Sequence, residues 1–144
     1  VVGMVTDISG ADEGTSMGYM LKRFLVSMES EIQRRKILLN KMDVDNVDSY
    51  IKAKADPEVH LKNHPSLTLD QIKNLPHIPH LFLVIDEFAE LMRYTSEDSD
   101  VDFKKGITSL ARIGRSLGFH IILISQNTLY KTLKSIKMVK LIIL

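Results

Sequence analysis

Apolar residues recur along the chain with two periods, and the switches between them predict most of the fold. From Met17, the positions Met20, Leu21, Phe24, Leu25, Met28 and Ile32 follow one face of a helix. Lys22, Arg23, Glu29, Arg34 and Arg35 are read as its solvent face. One long amphipathic helix to about Asn40 is expected. Its methionines read as core filler, since a flexible thioether fits irregular gaps. The same period returns at 101–117, with Phe103, Ile107, Leu110, Ala111, Gly114 and Leu117 on one side. Ser99 or Asp100 is the expected cap of that helix, and Gly118 its expected stop.

Other stretches are apolar without helical spacing. Residues 1–6 read as a short buried strand, and 7–18 as an acidic, Gly-rich loop. Residues 81–85 and 120–125 are continuous apolar runs, the pattern of parallel strands buried on both faces. Their strand–helix–strand order predicts a right-handed parallel crossover. Between the first helix and residue 81, residues 41–56 suggest a turn and a short helix capped by Asn46 or Asp48. Residues 57–80 hold Pro57, Pro65, Pro76 and Pro79 and are expected to be mostly loop, with a helical turn at 66–75. They have the look of an insertion.

Composition narrows the class. A chain of 144 residues fits one domain with a real core. Hydrophobic content of 44% and charged content of 26% are those of a soluble globular protein. A net charge of +1 argues against a broad nucleic-acid footprint. With no cysteine there is neither a disulfide framework nor a thiolate metal site. No apolar run approaches the roughly 20 residues of a spanning helix, and no signal-peptide pattern is visible. The strand-like start and the apolar end, Leu141-Ile142-Ile143-Leu144, suggest a piece of something longer.

The chemistry concentrates after residue 80. Leu81-Phe82-Leu83-Val84-Ile85 runs directly into Asp86 and Glu87, which is the Walker B pattern. Ligands of parallel sheets bind beyond the carboxyl ends of the strands. An Asp there can hold Mg²⁺, usually through water, and the next carboxylate can polarise an attacking water. An acidic first turn of a following helix accounts for the same pair, since it favours the helix dipole. The run at 120–125 leads into Gln126 and Asn127, so a Gln stands at the same sheet edge. It could sense a γ-phosphate, or simply begin a loop. If Phe103 marks the core face, Arg112 lies roughly 180° and Arg115 about 120° around the helix, both accessible. Two solvated arginines are the plain reading, and an arginine finger for a neighbour's nucleotide is the sharper one.

Weaker signals are set aside. "DVDNVD" (43–48) departs from a Ca²⁺ loop at Val47 and Asp48. His60, His64, His77 and His80 offer no third metal ligand at fixed spacing. No Ser-His-Asp arrangement is legible.

"PHLFLVIDEFAELM" followed by "ITSLARIGRSLGFHIILISQ" resembles the FtsK/SpoIIIE family of ATPases. The spelling is most similar to its EssC/EccC branch, the motor of type VII secretion, and the likeness covers residues 1 to about 127. The resemblance implies an α/β fold, part of a RecA-like P-loop NTPase core, with a partial ATPase domain at 1–127. It implies ATP and Mg²⁺ as cofactors, Asp86 as the Mg²⁺-linked acid, Glu87 as catalytic base and Gln126 as sensor. It leaves open which of Arg112 and Arg115 is the finger. Expected partners are other ATPase modules in hexamers or stacks, and secreted helical proteins. The parent protein is expected at the cytoplasmic face of the bacterial membrane, held there only through upstream segments.

Two departures qualify that picture. None of the seven glycines opens a G-x-x-x-x-G-K-[ST] motif, and "GADEGTSMG" (10–18) has acids where phosphates would sit and no lysine. In the family this Walker A motif precedes the stretch represented here. Residues 128–144 depart from the family pattern, as an atypical tail, a truncated or frameshifted end, or a variant strand at 138–144. Three readings result: a fragment of a secretion ATPase, inactive alone; a DNA translocase fragment; or a non-catalytic remnant acting as an interaction module. Charge and the acidic loops weigh against DNA.

Overall fold

The computed structural model describes residues 15–86, 88, 103–124 and 140–142. The expected strand at 1–6, the cap at Ser99 or Asp100, and Glu87 and Gln126 lie outside these residues.

Helix α1 runs Thr15–Met42, longer at both ends than the periodicity suggests. Ile32, Leu38, Leu39 and Met42 are buried, and Phe24, Leu25 and Met28 pack against the same core. Its partner is α5, Phe103–Leu117, whose Ile107, Leu110 and Leu117 enter that core. The two helices approach closely at Gly106, where a Cβ would lie 2.5 Å from Leu25 Cδ2. Gly118 then ends α5 with φ of +74°, a conformation open to glycine at low cost.

The sheet has the order β1-β2-β3 and is parallel throughout. β1 is Leu81–Ile85, β2 is Phe119–Ile124 and β3 is Lys140–Ile142. Leu81 pairs with Phe119 and Ile85 with Leu123, so the two principal strands start level and β2 runs one residue further. The variant-strand reading of 138–144 is met at Lys140–Ile142, which lies beside Ile122–Ile124.

One expectation for β1 is corrected. The strand is not buried on both faces: Phe82 is 66% and Val84 56% exposed, while Leu81, Leu83 and Ile85 pack on the core. The described helices cover the sheet on one side, so its residues alternate between core and solvent like those of a one-sided sheet.

Residues 57–80 are also more ordered than their prolines suggest. After α2 (Val47–Ala55, capped by Asn46) come α3 (Pro57–Asn63) and α4 (Leu69–Asn74). Pro57 stands in the first turn of α3, where a missing N–H is harmless. Thr68 and Gln71 close a capping box on α4. The lobe is tied together by polar contacts. Lys54 Nζ donates to the carbonyls of Ile72, Lys73 and Leu75 at 3.0, 2.9 and 2.7 Å, a cation at a helix C-terminus. Tyr50 Oη donates to Pro76 O at 2.7 Å. Burial raises the Tyr50 hydroxyl pKa, and the Arg34 charge pulls weakly the other way.

Arg35 supplies the second correction. Placed on the solvent face by its charge, it is fully buried. From Ile32, Arg35 lies ~300°, Leu39 ~340° and Met42 ~280° around the helix, so Arg35 sits inside the apolar stripe. Its guanidinium donates to Glu31 Oε1 at 2.8 Å, Leu117 O at 2.7 Å and Pro79 O at 2.8 Å, and covers the Phe119 ring at 4.8 Å. The buried charge is therefore paired and its donors are used.

Candidate functional site

Asp86 occupies the turn directly after β1 and is exposed. The turn is held from both sides: Ile85 packs against the core, and Phe88, two residues beyond Asp86, is 3% exposed. Burial of the apolar neighbours thus leaves the carboxylate at the C-terminal edge of a parallel sheet. That is where an open sheet of this kind receives ligands. A Mg²⁺ ion prefers oxygen ligands, keeps several waters and is commonly held by one or two carboxylates with substrate phosphates. An exposed carboxylate at this edge fits such a role. β2 ends at Ile124, and Gln126 follows two positions later in sequence.

Arg112 and Arg115 are both exposed on α5, as expected from the helix period. Among the described residues neither guanidinium is ion-paired. The structure does not bring them to Asp86. α5 ends at Leu117, β2 begins at Phe119, and Leu81 N donates to Gly118 O at 2.8 Å. The last turns of α5 therefore lie beside the N-terminal ends of the strands. Asp86 stands at the other end, a five-residue strand away, or about 16 Å at ~3.3 Å per residue.

The histidines are engaged in local contacts. His60 Nε2 donates to Met42 O at 2.8 Å, and His64 Nδ1 pairs with Asp43 at 2.8 Å, the two rings stacked 4.1 Å apart. His80 Nδ1 and His120 Nε2 are 2.9 Å apart, and His80 Nε2 is 3.3 Å from Asp48. His120 was absent from the sequence-level cluster because it lies 40 positions from His80. Among the described residues no three His, Asp or Glu side chains converge as a metal site. No helix of the described residues is long and apolar enough to cross a membrane.

A charged network lies away from Asp86, on α1. Glu31 accepts from Arg34 at 2.6 and 2.7 Å and from Arg35 at 2.8 Å. The Arg34 hydrogen bonds hold its carboxyl below the usual value, partial burial opposes them, and Arg35 adds to the lowering.

The described residues thus form a parallel β–α–β unit with an exposed acid at the C-terminal strand edge. Residues 11–128 match the FtsK/SpoIIIE family, and the chain belongs to that family. It is 32% identical over 126 residues to the ESX secretion system protein EccC of Geobacillus thermodenitrificans (strain NG80-2). It is 36% identical over 126 residues to the type VII secretion system protein EssC of Staphylococcus aureus (strain NCTC 8325 / PS 47), and 35% to that of strain Mu50 / ATCC 700699. Each match covers 88% of this chain and 7% of the relative. The chain therefore spans a small part of the length of these relatives. No solved structure matches it.

Proposed function

We propose that these residues are the Walker B portion of a RecA-like ATPase module that couples Mg²⁺-ATP hydrolysis to protein export through a type VII secretion system. The observation that carries the reading is the position of Asp86, exposed at the C-terminal edge of a parallel strand beside a second strand that leads to Gln126. Similarity to EssC and EccC favours export over DNA translocation. The partial domain is assigned to 1–127, with 128–144 as a divergent tail that contributes β3.

In this mechanism Asp86 would hold the cation, through its water ligands. Glu87 polarises the attacking water, and Gln126 senses the terminal phosphate. When bound, ATP would supply the reactive phosphoryl group and Mg²⁺ would offset the charge of its phosphates. Arg112 or Arg115 would stabilise charge developing on a nucleotide held by a neighbouring module, a reading supported by their exposure on a helix whose end lies beside the strand starts, opposite the edge that carries Asp86. Partners are accordingly further modules of the same family, and exported helical proteins are the substrates. The site of action is the cytoplasmic face of the membrane, reached through other parts of the parent protein.

The 144 residues contain no phosphate-cradling G-x-x-x-x-G-K-[ST] loop. Alone, they should not bind ATP appreciably. Titration of a fluorescent ATP analogue with the isolated chain tests this, and saturation with a sub-millimolar Kd would overturn the fragment reading.

A further inference from the structure

We draw no further inference here: the strongest candidate, the solvent-facing side of the sheet where Phe82 and Val84 stand exposed beside the stacked His120 ring, is an apolar face for which nothing in the structure shows what covers it.

Discussion

Arg35 donates to the carbonyl of Leu117 at 2.7 Å, joining residues 82 positions apart. The same guanidinium holds Pro79 O, two residues before β1 begins. One side chain on α1 thus fastens the end of α5 and the starts of both principal strands. Arg35→Ala would leave two carbonyls without their donor and a gap over Phe119. The expected loss is about 3 kcal/mol or more, from the charged hydrogen bonds and the broken buried pair. Arg35→Lys keeps the charge, but a single ammonium lacks the spread, planar fork whose separate nitrogens reach Glu31, Leu117 and Pro79, so it should fall between wild type and alanine. Urea unfolding midpoints would order the three proteins, and equal midpoints for wild type and alanine would contradict the fastening role.

Acid should weaken the same region. The folded-state pKa of Glu31 is lowered from its ordinary 4.5, chiefly by Arg34. A carboxylate lowered on folding contributes stability that is present above its unfolded value and is lost as pH falls through the folded value. The contribution should therefore be complete near neutrality, begin to shrink as pH falls below about 4.5, and be gone once pH is below the lowered folded value. Glu31 is partly exposed and its pair with Arg34 faces water, so the effect is modest. Glu31→Gln should lower stability at pH 7, and its gap from wild type should narrow as pH falls below 4.5, measured by urea unfolding at each pH. Parallel pH profiles would argue that the arginine contacts contribute nothing.

Gly118 should resist substitution for two independent reasons. Its φ of +74° costs a non-glycine residue about 1–2 kcal/mol. A Cβ there would also stand 3.1 Å from Val47 Cγ1, 3.2 Å from Arg35 Nη1 and 3.3 Å from His80 Nδ1. Gly118→Ala is expected to destabilise by at least the conformational cost. Thermal unfolding of the variant provides the check.

Much of this architecture can be read before any coordinates, because local physics sets it. The apolar faces of α1 and α5, the glycine stop and the Asn46 cap follow from period and capping chemistry. The parallel pairing of β1 and β2 follows from two apolar runs flanking a helix. Two of the misreadings share a cause, residue type outweighing position. Arg35 falls inside the apolar stripe by simple angular counting, yet its charge assigned it to solvent. Prolines suggested loop at 57–80, although Asp56-Pro57 and the Thr68–Gln71 box are local helix-start signals. The exposed face of β1 was not legible, since an apolar run says how a strand could be buried and not what is present to bury it. The edge carrying Asp86 was legible as a motif, but the separation of Arg112 and Arg115 from it required the direction of α5.

That separation gives the last prediction. Both arginines are exposed and make no ion pair among the described residues, so Arg112→Ala and Arg115→Ala should each change the stability of this chain by no more than about 0.5 kcal/mol. In the complete ATPase, removal of the arginine that acts as a finger should lower turnover by about 10³-fold or more. Glu87→Gln should also abolish turnover, but for a different interface. If the arginine serves a neighbour, subunits lacking it and subunits carrying Glu87→Gln complement one another when mixed. An intact Glu87 then meets an intact arginine across some of the contacts. If the arginine serves its own site, no mixture regains activity, because every subunit is defective in the same place. Mixing each arginine variant in turn with Glu87→Gln subunits, and following phosphate release against the mixing ratio, decides between the two. It also assigns the role to Arg112 or Arg115, since only the finger residue both loses turnover and is restored in trans.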